Sequence, residues 1–462
     1  MNITFLNPSL RSDRLILIFS GWSCGADLYH DFTFPGWEIA VVDDYSSLSF
    51  DIAELERFST IYLFAWSLGV FMASTIDFRS HITAAVAING TLKPADDLKG
   101  IPRDIFVKTA ENLTPRNLIK FRRRMAGESD IFNQIFKKEF SVEESSGLRN
   151  QLFSILDWQE SHPSYPLPWK KVFISENDAI FPYKNMRRFW EDESIYPSPK
   201  TISLRESHYV PMERIVKMTI PEVQTLARRF SGAAASYNSN AEAQRKLSTL
   251  LAEMLFRKGL SVDQKILEIG CGTGIFTQEI INLFSPRELV MVDISDVRPD
   301  TSNINSRFHK ADAEKWIADS EERFDAVVSS ATVQWFVNLP LFFSNVYHHL
   351  EDDGILGFST FLSGNLYELD SLRPSPLHYH TSQEIRIWLE RWFEEIEVIE
   401  TEYILNFDTY RQLFDHLRST GVGGSAPVEK LSISLIKEMR QLTFKCGCFV
   451  AKKKNKEIYG NN

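Results

Sequence analysis

Two sets of residues with chemistry in them stand in opposite halves of this 462-residue chain: a serine, an aspartate and a histidine, and an acidic residue followed by spaced glycines. The serine is Ser67, in IYLFAWSLGVFMA (Ile61 to Ala73). Apolar runs on both sides of it read as a buried strand turning sharply into a buried helix. A serine on such an elbow is held out above the sheet, where its hydroxyl can attack a carbonyl. The usual G-x-S-x-G pattern has Ala65 at its first position here. The backbones of strand and helix pass closely at that point, and alanine is small enough to serve. Taken alone, Ser67 fits a nucleophile or a turn residue.

A serine nucleophile needs a base, an acid that orients the base, and donors for the developing oxyanion. Asp178 closes KVFISEND and precedes AIFP; His208 closes TISLRESH and precedes YVPM. Each also has a bland reading, Asp178 as a turn or helix cap and His208 as a loop histidine. Together, Ser67, Asp178 and His208 follow the chain order of α/β-hydrolases, each at the carboxyl end of a strand. The backbone amides of Leu68 and of Trp22, in FSGWSCG, are the candidates for the oxyanion hole.

In the second half, ILEIGCGTG places Glu268 at a strand end and Gly270, Gly272 and Gly274 in the turn after it. Such glycines let backbone approach a bound nucleoside, although the loop alone equally suits a dinucleotide. The following strand ends in Asp293, suited to ribose hydroxyls. RFHKADAE offers Asp312 where adenine would lie, and FDAVVSSATVQWF carries Ser330 toward a substrate face at Gln334 and Trp335.

The elements that must position these residues alternate strand and helix in both halves, so the expected fold class is α/β with two doubly wound domains. LILIFSG, WEIAVVDD, IYLFAWS, ITAAVAING, KVFISEND and KTISLRESH are the strands of the first half. Their near-continuous apolar character suits a parallel sheet covered on both faces. The first domain is expected over 1–225, with a helical cap at about 95–165, a linker or mobile arm over 226–240, and the second domain over 241–462. The cap carries Arg122, Arg123, Arg124, Lys137 and Lys138 interleaved with apolar residues. That pattern suits an amphipathic lid with a solvated face, or a docking face for an acidic partner. The tail KKKNKEIYGNN reads as a frayed terminus.

Composition narrows the classes. A net charge of −10 argues against a general nucleic-acid binder. No signal peptide and no apolar stretch long enough for a bilayer are visible. Cys24, Cys271, Cys446 and Cys448 match no zinc or disulfide spacing. A cytoplasmic chain without metal or membrane contact is the expectation.

Three groups of residues carry resemblances to known families. E-x-G-x-G-x-G at Glu268 to Gly274 and the strands after it resemble class I S-adenosylmethionine-dependent methyltransferases, over roughly 236–452. That implies a Rossmann-like seven-stranded sheet with an antiparallel last strand, for which LTFKCGCFVAKKK is placed. AASYNSNAEAQRKLSTLL, SSATVQWF and GFSTFLSGNLYEL resemble the malonyl-acyl-carrier-protein O-methyltransferases of biotin synthesis (BioC type). By that resemblance Tyr237 and Gln244 cover the cofactor. FSGW, AWSLG, ENDAIFP and SHYVP resemble the pimeloyl-acyl-carrier-protein methyl ester esterases of the same pathway (BioG type), which are α/β-hydrolases.

The resemblances imply a bifunctional enzyme. One half methylates the malonyl carboxylate on an acyl carrier protein, with S-adenosylmethionine as co-substrate. The other hydrolyses the pimeloyl methyl ester, with Ser67, Asp178 and His208 as its triad. Carrier protein is acidic, so the five basic cap residues become its candidate docking face. Rival readings are a methyltransferase for another small acid or an aromatic acceptor, joined to a general carboxylesterase or to a non-catalytic hydrolase-like docking module.

Overall fold

The apolar runs of the sequence become the central strands of two separate seven-stranded sheets. The computed structural model describes residues 1–6, 11–79, 81–192, 198–369, 377–419 and 438–454. These divide into two units, Met1–Val216 and Lys217–Asn462.

In the first unit, β1 (Asn2–Phe5), β2 (Arg14–Phe19), β3 (Glu38–Asp43), β4 (Thr60–Trp66), β5 (Ala84–Ile88), β6 (Trp169–Ser175) and β7 (Lys200–Leu204) lie in the order β1-β3-β2-β4-β5-β6-β7. All pairings are parallel except that of β1, which lies antiparallel against β3. β1 was not among the expected strands; NITF is short and edge-exposed, with none of the continuous apolar character of its neighbours. β2 and β5 are buried at every position, as strands covered on both faces must be.

Between β5 and β6 the chain forms the cap helices Arg103–Glu111, Pro115–Ala126 and Val142–Ser161. Local chemistry sets their ends. Thr114 caps the second helix ahead of Pro115, and Ser141 with Glu144 forms a capping box on the third. One expectation for this cap fails. Arg122 is not on a docking face but is buried, 4% exposed, on the inner side of its helix with Leu118, Met125 and Ala126. Its spacing from Leu118 and Met125 is that of one helical face, and its guanidinium lies 5.0 Å from the Phe140 ring. Arg123, Arg124, Lys137 and Lys138 are exposed.

In the second unit, β8 (Lys265–Ile269), β9 (Glu288–Asp293), β10 (Ser306–Lys310), β11 (Phe324–Ser329), β12 (Leu350–Phe361), β13 (Phe393–Asn406) and β14 (Gln441–Lys453) form the order β10-β9-β8-β11-β12-β14-β13. β14 is antiparallel to both of its neighbours, as expected of LTFKCGCFVAKKK. Side chains alternate between the two faces with period two. Ile266 and Val328 join Leu247, Leu251 and Leu255 of the helix Glu242–Lys258. Leu267 and Val327 face the helix Leu339–His349 through Phe343 and Val346.

The residues expected as a linker, 226–240, are instead the greater part of a helix, Val223–Asn240, within the second unit. Leu226 and Ala233 are its buried contacts, and alanine is the strongest helix former. Of the expected frayed tail, 455–462 lies outside the described residues.

Candidate active sites

The first constellation assembles where three strands end. β4 stops at Trp66, and Ser67 turns the chain with φ of 60° into the helix Gly69–Ser74. A non-glycine residue in that region is strained, and such strain collects at functional elbows. The elbow is tight on its far side: a Cβ on Gly69 would stand 2.5 Å from the carbonyl oxygen of Phe19. Ala65 is accommodated within β4, paired to Phe19 and Ala87.

Asp178 follows β6 and His208 follows β7. His208 Nε2 lies 2.8 Å from Ser67 Oγ, and its Nδ1 lies 2.8 Å from Asp178 Oδ2. Both the imidazole and the carboxylate are wholly buried. An ionised carboxylate only accepts, so Nδ1 carries the proton and Nε2 turns its lone pair to the serine hydroxyl. Asp178 Oδ1 is held independently, accepting from the amides of Ile180 at 2.7 Å and Phe181 at 2.9 Å. The Phe181 ring stacks parallel to the imidazole, with centroids 6.0 Å apart.

Sequence reasoning missed Asn89. It is fully buried just after β5, and its amide donates to the carbonyl of His208 at 2.8 Å and to Ser175 Oγ at 2.9 Å. Its own Oδ1 accepts from the Ser175 amide at 2.7 Å. It thereby ties the histidine loop to the end of β6. The Trp66 indole donates to the same His208 carbonyl at 3.0 Å. Nothing in the sequence marks a lone buried asparagine as a clamp across more than a hundred residues.

Trp22, Ser67 and Leu68 line a cleft of about 460 Å³, counted to its open mouth, beneath the cap. Ile105, Phe106, Phe121 and Leu152 make it apolar, and among the described residues Arg124 is the one charged residue of its lining. The Leu68 amide precedes the first turn of its helix and has no intrahelical acceptor. The Trp22 amide likewise has no acceptor among the described residues.

The second constellation surrounds the glycine turn after β8. A Cβ on Gly270, at φ of 73°, would meet Thr332 Oγ1 at 2.1 Å, so the close approach of that loop requires glycine. Gly272, at φ of 50°, has nothing within 4 Å of such a Cβ. Its backbone faces open space, a cradle that a nucleoside with an amino-acid tail fits. Asp293 supports this turn: Oδ2 accepts from the Gly272 amide at 2.9 Å, and Oδ1 from the amide and hydroxyl of Ser295.

Glu268 is buried, with Oε2 accepting from Thr277 Oγ1 at 2.8 Å. Burial pushes its carboxyl up to about 8; the Thr277 bond opposes this and the charge of Asp293 adds to it. The helix Val223–Asn240 brings Tyr237 to the same place. Burial, and then the negative charge of Asp293, push its phenol up to about 12. Asn238 and Ser231 of that helix reach Thr273 and Asp296. Gln244 is buried on the next helix.

Ser330 Oγ lies between Ser248 Oγ and Ser359 Oγ, 3.0 Å from each. Asp312 caps the helix Ala313–Asp319 by accepting from the Glu314 amide at 3.1 Å. Among the described residues, His378, His380 and Glu384 bring possible metal-ligating atoms within 4.8 Å of one another. Glu384 there accepts from the amide and hydroxyl of Thr381 as part of a capping box.

A parallel sheet with a serine elbow under a cap defines an α/β-hydrolase domain, and the 3-2-1-4-5-7-6 strand order with a glycine turn defines a class I methyltransferase domain. The family model "Pimeloyl-ACP methyl esterase BioG" matches residues 1–209, and "Methyltransferase domain" matches 238–419. A malonyl-[acyl-carrier protein] O-methyltransferase of Bacteroides fragilis is 31% identical over 434 residues, covering 90% of this chain and 86% of its own length. One of the same description from Acinetobacter baylyi is 33% identical over 207 residues, covering 43% of this chain and 79% of its own length. The crystal structure of BioG from Haemophilus influenzae, 27% identical, covers 46% of this chain and 94% of that one, with a TM-score of 0.40.

The chain belongs to the malonyl-[acyl-carrier protein] O-methyltransferase family, in the form in which a BioG-type domain precedes the BioC-type methyltransferase. It is an enzyme that joins an S-adenosylmethionine-dependent methyltransferase to an esterase domain.

Proposed function

We propose that the chain acts twice in biotin synthesis on acyl groups held by an acyl carrier protein. It methylates the malonyl carboxylate, and it later hydrolyses the pimeloyl methyl ester. The observation that carries this reading is the Bacteroides fragilis relative, which aligns across both halves at once. Methylation masks a charge that would bar the malonyl group from serving as an apolar primer; hydrolysis restores it after elongation.

In the esterase, Ser67 Oγ attacks the ester carbonyl while His208 Nε2 takes its proton. The Leu68 and Trp22 amides donate hydrogen bonds to the oxyanion. His208 returns the proton to the departing methoxide, then activates the water that releases the acid from Ser67. Asp178 stabilises the imidazolium. The apolar cleft under the cap suits the methylenes of a pimeloyl chain. A malonyl thioester would bring the polar arm of the carrier there instead, at a desolvation cost.

In the methyltransferase, Tyr237, Gly270, Gly272, Gly274, Asp293, Asp312 and Ser330 hold the co-substrate, with Glu268 bracing the turn from behind. S-Adenosylmethionine, when bound, supplies an electrophilic methyl group. An ionised carboxylate needs no base, so the protein's work is alignment and exclusion of water. Arg123, Arg124, Lys137 and Lys138 are the cap residues we assign to the acidic carrier; Arg122 is not. The described residues include no helix long and apolar enough to cross a membrane. Four free buried cysteines suit a reducing cytoplasm.

The two activities oppose each other unless the esterase discriminates by chain length. Hydrolysis of methyl pimeloyl and methyl malonyl carrier proteins, compared under identical conditions, tests this. Preference for the pimeloyl ester is expected, and preference for the malonyl ester would overturn the paired assignment.

A further inference from the structure

The turn after β12 holds buried polar atoms without hydrogen-bond partners among the described residues. After Phe361 the chain turns through residues 362–369, and its backbone is well tied. The Leu362 amide donates to the carbonyl of Lys445 at 2.8 Å, that of Ser363 to His380 at 2.9 Å, and that of Leu366 to Thr443 at 2.8 Å. The side chains are a different matter. Asn365 is 4% exposed, and neither its Oδ1 nor its Nδ2 has a hydrogen-bond partner among the described residues. Both carboxylate oxygens of Glu368, three residues on, are also buried and without one.

Native structures keep few such atoms, since each unpaired buried group costs about 1–3 kcal/mol and a charged one more. Four of them within four residues, on a backbone tied through the amides of Leu362, Ser363, Asn365, Leu366 and Leu369, mark a surface built to meet something else. Its position says what. β12 lies beside β11, and β11 beside β8, whose glycine turn forms the cofactor cradle. Thr332 packs on Gly270, and Gln334 of the same loop accepts from Thr360, one residue before β12 ends. The turn thus stands at the carboxyl end of the sheet, on the side away from β9 and β10, where open α/β sheets receive a second ligand.

The donor and acceptor pattern limits that ligand. A carboxylate such as that of Glu368 accepts hydrogen bonds and so calls for a donor; Asn365 both donates and accepts. A carboxylate offers no donor and would meet Glu368 as a like charge, so this turn does not hold the malonyl carboxylate itself. Secondary amides offer an N–H and a carbonyl together. We propose that Asn365 and Glu368 form the subsite for the amide-bearing arm on which the malonyl thioester is presented. Asn365 pairs reciprocally with one amide, and Glu368 accepts the N–H of another. The inference rests on the methyltransferase reading above and deepens it.

The test compares acceptors on the unsubstituted chain: malonyl-pantetheine, which carries secondary amides, and S-methyl malonyl thioester, which carries none. A preference of about tenfold or more in kcat/KM for the pantetheine thioester, mostly in KM, is expected. In Asn365→Ala and Glu368→Gln that ratio should collapse toward one, with S-adenosylhomocysteine binding measured by calorimetry to show that each variant is folded. Equal use of both thioesters by the unsubstituted chain would overturn the subsite alone, whatever the variants do. So would an undiminished ratio in both folded variants. Failure to methylate any malonyl thioester would bring down the methyltransferase reading, and the subsite with it.

Discussion

Asp178→Asn is the most informative perturbation of the esterase, because the structure dictates how the new amide must lie. Oδ1 accepts from two backbone amides, those of Ile180 and Phe181. The asparagine oxygen therefore stays there, and its NH2 takes the place of Oδ2 toward His208 Nδ1. That group donates, so Nδ1 becomes the acceptor and the ring proton moves to Nε2. The nitrogen 2.8 Å from Ser67 Oγ can then no longer take its proton.

The charge is lost as well. A carboxylate and an imidazolium a few ångströms apart are worth about 4 kcal/mol at an effective dielectric constant near 20, or about a thousandfold in rate. The wrong tautomer adds to this, so a fall in kcat of about 10³–10⁴ is expected. KM should move little, since Asp178 does not line the cleft. Hydrolysis of a chromogenic short-chain ester measures both constants, and thermal melting verifies that the unit is folded. A loss of less than about tenfold in a folded variant would refute the reasoning, because Asp178 would then not orient the base.

The glycine turn gives a paired prediction. Gly270→Ala drives its Cβ into Thr332 and should lower the melting temperature of the methyltransferase unit, whereas Gly272→Ala meets no protein atom. The second should change stability by only about 1 kcal/mol, from its positive φ, yet weaken S-adenosylhomocysteine binding by calorimetry. Equal effects on binding and melting at the two positions would count against the cradle. Glu268 makes stability depend on pH. Its folded pKa of about 8 lies above the ordinary carboxylate value, so the native state holds a proton that the unfolded chain releases. The contribution of Glu268 to the stability of the ligand-free methyltransferase unit is therefore full below the ordinary carboxylate value and is lost as pH rises toward 8. Glu268→Gln should flatten that slope in melting curves between pH 5 and 8; an unchanged slope would show that the carboxyl is not the source.

What was legible in the sequence was what local pattern controls. Ser67, Asp178 and His208 each follow an apolar strand, and the strand ends bring them together whatever lies between. Glu268 and the three glycines are contiguous, so their turn could be read directly. Asn89 could not, because its partners, Ser175 and His208, meet it only through the packed sheet. Helix Val223–Asn240 was hidden by its small polar residues, which resemble a loop until Leu226 and Ala233 find a surface to cover. Arg122 was mistaken for a surface charge through its neighbours in RRR. Its interval of four from Leu118 and three to Met125 carried the correct answer. Asn365 and Glu368 lie in a stretch quoted for its resemblance, but only burial reveals that their polar atoms are unpaired.

The most direct test of the account is intact mass spectrometry of malonyl-acyl-carrier protein incubated with S-adenosylmethionine and the Ser67→Ala chain, in which the esterase cannot erase the product. The account predicts that the carrier gains the mass of one methyl group, on the malonyl carboxylate. A carrier of unchanged mass, from a chain shown by calorimetry to bind the co-substrate, would contradict it.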